Sequence, residues 1–365
     1  MIDPGFTTPA MAEVFSADQR VYLFMYVEGA LASAQAELGL IPQAAADHIN
    51  MAVVEHHPNP EGLLLDGWDA GTPVLPLLDY LRNLLPDEAR PWLHYRATTQ
   101  DIVDNATLLQ MQSTVAILHP QALGVGLSLV DAIRDFGDAP MMTRSLLQPA
   151  EPSLFCLRAA HWLSPFATAM NQLFHLQYPV QLGGPIGDQL DINTALTRKL
   201  AEHLGFTPVH LAWHTDRMPL ITIIQQFHRL VRAAAKIASD LVFMAQSGEA
   251  TMRSGGSTAM PHKRNPIDAI RCLAAAAAFE GAASIVTSAR PHELERSAGS
   301  WHAEWFAIPL IAQTASAALE SLGRALANLT ILPADIDVPD DRREAARRVA
   351  DLAVRNFDDR EFDEL

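Results

Sequence analysis

Apolar residues in the first forty positions recur at spacings of three and four. Val14, Tyr22, Met25, Val27, Leu31, Ala34 and Leu38 keep close to that spacing, which predicts a helix over residues 12–38, ended by Gly39 and followed by Pro42. The same period predicts helices over 107–136 (with Pro120 as a candidate interruption), 188–204, 216–249, from Ile267 onward, 309–329 and 342–354. Residues 216–249 are apolar on nearly every face, as expected in the middle of a bundle. Residues 57–76 carry Pro58, Pro60, Gly62, Gly67, Gly71, Pro73 and Pro76 and read as loop-rich. No alternating run of useful length and no solenoid repeat occurs, so the expected fold is all-α.

Composition narrows the function. With 365 residues, 49% hydrophobic and 19% charged, the chain has the profile of a soluble globular protein. Its net charge of −16 argues against nucleic acid or an anionic membrane as partner. An anionic substrate would need a local positive site. The start, Met1 to Phe6, shows no secretory leader, and the Ala-rich stretch from Leu273 to Val286 contains Glu280 and does not read as membrane-spanning. Two cysteines, Cys156 and Cys272, are too few for a disulfide framework or a structural zinc, so a reduced, cytoplasmic protein is expected.

The segment Gly255-Gly256-Ser257-Thr258-Ala259-Met260-Pro261-His262-Lys263-Arg264-Asn265-Pro266 supplies such a positive site. Paired glycines let backbone approach a ligand, the prolines hold the rest extended, and a hydroxyl, an ammonium, a guanidinium and a carboxamide lie close together. It resembles the signature loop of the fumarase/aspartase superfamily, roughly Gly-Ser-Ser-x-Met-Pro-x-Lys-x-Asn-Pro, with Thr258 replacing the second Ser. The resemblance implies that Ser257 moves the proton alpha to a carboxylate while Lys263 and Asn265 bind that carboxylate. Thr258, Met260, His262 and Arg264 are then substrate-binding neighbours. Removing such a proton makes a dianionic aci-carboxylate, so fixed donors there stabilise the transition state more than the ground state.

Other segments carry the same resemblance. His94-Tyr95-Arg96-Ala97-Thr98-Thr99-Gln100-Asp101 resembles the superfamily's His-x-Gly-x-Thr-Ser-x-Asp region, with Arg96 in place of Gly. It implies substrate contacts from Thr98, Thr99 and Gln100, and a helix cap from Asp101 or a neighbouring Thr. Thr143 to Pro152 is similar to Gly-Arg-Thr-His-x-Gln-x-Ala-x-Pro, which makes Arg144 and Gln148 substrate-binding and puts Leu146 where many members have His. The Glu that pairs with that His corresponds to Ile270. Hydroxide, amines and guanidines need a proton in order to leave, whereas a carboxylate does not. Loss of the pair therefore suits lactone chemistry.

Gly71-Thr72-Pro73-Val74-Leu75-Pro76-Leu77 is similar to a segment of lactone-forming members, and no His-Asp dipeptide of the adenylosuccinate lyase kind occurs between 57 and 93. Gln181 to Gly187 resembles a Gln-Leu-Gly-Gly turn of the superfamily. Glu295 to Trp305, Glu-Arg-x-x-Gly-x-Trp-x-x-Glu-Trp, resembles the 3-carboxy-cis,cis-muconate cycloisomerase branch. His210, His214 and His228 lack metal-ligand spacing and read as structural.

The resemblance implies an N-terminal helical domain (1–100), a central domain (101–332) of five long helices, and a truncated C-terminal segment with an acidic tail (333–365). Four central bundles would form a twenty-helix core in a homotetramer, with sites shared between subunits. The implied reaction is cycloisomerisation of a small anionic tricarboxylate, 3-carboxy-cis,cis-muconate, with no metal or organic cofactor. Alternatives are a sulfomuconate cycloisomerase, an adenylosuccinate- or argininosuccinate-type lyase, and a non-catalytic crystallin-like relative.

Overall fold

The computed structural model describes residues 3–190, 192–252, 255, 260, 263–288 and 291–359, and among them are twelve α-helices and four short strands. The helix expected over 12–38 is two, α1 (Pro9–Val14) and α2 (Ala17–Glu37). Ser16 divides them, because its extended backbone lets its hydroxyl accept from the Gln19 amide as an N-cap. α3 (Gln43–Glu55) follows. The stretch expected to be loop-rich instead folds as α4 (Pro60–Asp69) and α5 (Val74–Leu84). Pro60 occupies the first turn of α4, where a missing N–H costs no bond, and Asn59 caps it.

Five long helices form the bundle: α6 (Thr99–Phe136), α7 (Phe155–Asn171), α9 (Met218–Ser247), α10 (Ile267–Thr287) and α11 (Ser300–Ala327), while α8 (Thr194–Leu204) packs on α2. α6 passes through Pro120 and α11 through Pro309 without ending, so neither proline is a boundary. α10 lies against α9 and α11, and α6 against α7 and α11. Trp162, Phe155, Phe166, Phe227 and Phe279 are fully buried within it. α12 (Asp340–Asp358) packs on α7 and α6.

Strands are few. β1 (Pro140–Ser145) and β2 (Gln148–Leu154) form an antiparallel hairpin between α6 and α7, and β3 (Ala250–Thr251) pairs with β4 (Thr330–Ile331). The hairpin has no sequence signal. Its register pairs Ser145 with Gln148, leaving Leu146 and Leu147 as a two-residue turn at φ 52° and 64°. Such turns favour Asn and Gly, and left-handed backbone costs an ordinary side chain about 1–2 kcal/mol.

Candidate active site

The first turn of α6 organises one part of the site. Thr98 caps the helix in a capping box with Asp101, as expected. Asp101 also accepts from the amides of Gly183 (2.9 Å) and Gly184 (3.0 Å) and lies 2.7 Å from His214 Nε2. One turn on, Asn105 bonds both the amide and the carbonyl of Gln181. The Thr-Thr-Gln-Asp and Gln-Leu-Gly-Gly segments are thus one unit, strung along a single helix face.

The loop entering α6 is held in a costly conformation. His94 and Arg96 have φ of 61° and 63°, so Arg96 adopts the left-handed backbone that suits the Gly it replaces. His94 Nδ1 lies 2.6 Å from Glu28 Oε1, and Gln35 donates to the Tyr95 carbonyl at 2.6 Å. Burial lowers the His94 pKa, but the Glu28 charge and hydrogen bond outweigh burial and raise it. Thr98 is buried, Thr99 half-buried, and Gln100 is fully buried with its Nε2 spent on Asp104 and the His214 carbonyl. Gln100 therefore lies beneath the site, with its Oε1 unpartnered among the described residues.

Arg296 reaches Thr98. Its Nη2 donates to Thr98 Oγ1 at 2.6 Å and to the Pro185 carbonyl at 3.2 Å, while its Nε is buried with no partner among the described residues. Below, Arg217 at the start of α9 donates through Nη1 and Nη2 to Asp104 (2.7 and 2.9 Å) and through Nε and Nη2 to Glu304 (3.0 and 2.6 Å). Trp301 Nε1 and Gln181 Nε2 add bonds to Asp104 at 3.2 Å. Burial would raise the Asp104 pKa, and Arg217 overrides it and holds the carboxyl below its usual range. This network ties the starts of α6, α9 and α11 together. It brings into contact Trp301 and Glu304, read in sequence only as part of a motif.

The hairpin carries the second part. Arg144 donates to Glu249 at 2.5 Å, and Glu249 also takes Arg158 at 3.0 Å. Gln148 is exposed, and Leu146 at the tip is 95% exposed. Ile270, in the first turn of α10, is 40% exposed.

The third part is the signature loop. Ser257, Thr258 and His262 lie outside the described residues. Its base is closed by an antiparallel bridge between Gly255 and Asn265, with the Gly255 amide donating to the Asn265 carbonyl at 3.3 Å. The Lys263 amide donates to the Met260 carbonyl at 2.9 Å, and Met260, Lys263 and Arg264 face solvent while Asn265 is half-buried. His214 and His228 each bond a carboxylate, Asp101 and Glu280 respectively.

The sequence did not single out Arg296, Arg217 or Glu249, which the structure brings against Thr98, Asp104 and Arg144 respectively. Arg296 and Glu304 stood in a quoted motif, but only tertiary contact shows what they touch.

Known proteins share this arrangement of helices. Residues 5–278 match the model of a lyase family. The chain is 31% identical over 327 residues to the 3-carboxy-cis,cis-muconate cycloisomerase of Acinetobacter baylyi, covering 85% of this chain and 72% of that one. It is 30% identical over 344 residues to trans-aconitate decarboxylase 1 of Mycosarcoma maydis, covering 90% and 69%. The crystal structure of 3-carboxy-cis,cis-muconate lactonizing enzyme from Pseudomonas putida matches with a TM-score of 0.82 at 29% identity, covering 95% of this chain and 78% of that one.

Proposed function

From the premise that the chain belongs to this lyase family, within the fumarase/aspartase superfamily, we propose that it is a cycloisomerase converting 3-carboxy-cis,cis-muconate to a carboxymuconolactone. One observation carries the choice among family chemistries. The positions that the resemblance gives to the His–Glu pair hold Leu146 and Ile270, whose hydrocarbon side chains have no proton to give a leaving group. Lactone formation needs no such acid, because a carboxylate of the substrate is itself the nucleophile or, in reverse, the leaving group.

In the forward direction a carboxylate oxygen adds to a double bond conjugated to a second carboxylate. The electron pair moves onto that second group as an aci-carboxylate, held by Lys263 and Asn265. The Ser257 hydroxyl delivers the proton to the alpha carbon. Arg144 and Gln148 contact another carboxylate, and Thr98, Thr99 and Arg296 the third. The apolar spans of α6 and α10 are only 39% and 44% buried within one chain, which supports packing against the bundles of other subunits in a homotetramer.

A substrate panel tests the reading: 3-carboxy-cis,cis-muconate, its 3-sulfo analogue, trans-aconitate, adenylosuccinate and argininosuccinate, with products identified by NMR. Lactone from the carboxymuconate and no cleavage of the amine or guanidine substrates is expected. Fumarate released from either of those would overturn it, as would carbon dioxide from trans-aconitate with the muconate untouched.

A further inference from the structure

Behind the β1–β2 hairpin lies a half-open cavity of about 450 Å³, bordered by Arg144, Arg158, Glu249, His161, Leu154 and Phe243. Its volume suits a small ligand, and its lining combines apolar walls with convergent charges. The two guanidinium groups there are used differently. Arg158 gives Nη1 to Glu249 and Nη2 to the Met142 carbonyl on β1, at 3.0 and 3.2 Å. Arg144 gives only Nη2, to Glu249. Its Nε and Nη1 engage no described residue, and its side chain is 33% exposed.

Glu249 is well fixed for holding an arginine. It follows Gly248, the left-handed C-cap of α9 at φ 73°, and precedes β3. Its amide donates to the Met244 carbonyl (2.8 Å), and its carbonyl accepts from the Leu332 amide (2.9 Å). Its carboxylate oxygens each take one arginine. Burial acts to raise its pKa, and the hydrogen bonds from Arg144 and Arg158 outweigh that and lower it, keeping the group charged. Lys236 pairs with Asp240 on the same wall, so those two charges cancel. Two arginines against Glu249 leave one positive charge, on the arginine with free donors.

We propose that this cavity is a carboxylate subsite in which Arg144 is the contact and Glu249 the positioning residue. Glu249 holds Arg144 by Nη2, so that the remaining donors meet one carboxylate of an unsaturated acid whose carbon chain lies on the Leu154 and Phe243 wall. A guanidinium already fixed on one side loses less freedom on binding. The proposal rests on the reading that Arg144 contacts a substrate carboxylate, and it adds that Glu249 controls that contact.

The test is a double-mutant cycle of Arg144→Gln, Glu249→Gln and the two combined, read as Kd, KM and kcat. The Kd for 3-carboxy-cis,cis-muconate is measured by calorimetry in a Ser257→Ala background, and KM and kcat from loss of diene absorbance. Arg144→Gln should weaken binding about 10-fold or more, as for a lost charge-assisted hydrogen bond. Glu249→Gln should weaken it about 3- to 10-fold and raise KM by a larger factor than it lowers kcat, a split that a merely structural role would not produce. The combined variant should match Arg144→Gln alone, because Glu249 acts through Arg144.

Unaltered Kd in Glu249→Gln, or full additivity in the double variant, overturns the positioning role alone. Unaltered Kd in Arg144→Gln overturns the subsite. Absence of tricarboxylate binding by the parent protein overturns the proposed function and the subsite with it.

Discussion

Replacing Arg217 by Met would remove the cation between two carboxylates that are almost inaccessible, Asp104 at 1% and Glu304 at 3% exposure. Asp104 would keep its bonds from Trp301, Gln181 and Gln100, and Glu304 would keep His292 at 3.3 Å, but neither would have the guanidinium. Breaking a buried ion pair from one side costs about 3–5 kcal/mol, because a charge is left uncompensated. Unfolding entropy of about 2.1 cal/mol/K per residue, applied to all 365 residues, converts that to a fall in melting temperature of about 4–7 °C. The sign with pH is also fixed. In the parent protein the Asp104 pKa is depressed, so its stabilisation is present above the unfolded carboxylate pKa and is lost as pH falls through the folded value. Without Arg217, burial would raise the Asp104 pKa unopposed by the guanidinium, so the deficit should be largest at pH 8 and shrink toward pH 5. Differential scanning calorimetry of parent, Arg217→Lys and Arg217→Met across that range measures it, with Lys intermediate. A shift below about 1 °C, or one that does not change with pH, would show that Arg217 does not neutralise Asp104.

Three further outcomes are expected. The His94 pKa is raised by Glu28 against burial, with Asp101 adding and Arg82 opposing. The stability from this pair should therefore be full below about pH 6.5 and fade as pH rises through the folded value; Glu28→Gln should flatten that slope in melting curves from pH 6 to 9. Gly126→Ala would ordinarily favour a helix interior, but the added Cβ meets the Phe357 ring at 2.4 Å where that ring is buried. A net loss of about 1–3 kcal/mol in denaturant melts should follow, and a gain would show that α12 yields easily. Thr98→Val removes both the α6 cap and the acceptor for Arg296, so substrate Kd should rise about 10-fold while stability drops by about 1 kcal/mol; unchanged affinity would remove Arg296 and Thr98 from the site.

Much of the bundle was legible because its helices are long apolar segments: α9 keeps its apolar residues to one face, whereas α6 and α10 are apolar on most faces, as helices in the middle of a bundle are. Proline misled in both directions. Pro60 opens α4, and Pro309 sits inside α11, where surrounding packing holds the helix. The β1–β2 hairpin was invisible because Leu146 and Leu147 occupy a turn that local preference assigns to Asn and Gly. Of the site, the capping box at Thr98 and Asp101 follows from local spacing. The ion network does not, since Arg217 is 113 residues from Asp104 and 87 from Glu304. A tertiary charge pair leaves no mark on periodicity. Arg296 and Glu249 were hidden for the same reason, since each acts through a residue far along the chain.

The most direct measurement is the diene absorbance of 3-carboxy-cis,cis-muconate with purified protein and with Ser257→Ala, run in deuterium oxide with the product examined by NMR. Loss of the band, a lactone carrying one deuterium at the carbon alpha to the acceptor carboxylate, and no turnover by the variant are expected. A persistent diene band with the parent protein, or a Ser257→Ala variant as fast as the parent, would contradict the proposed function.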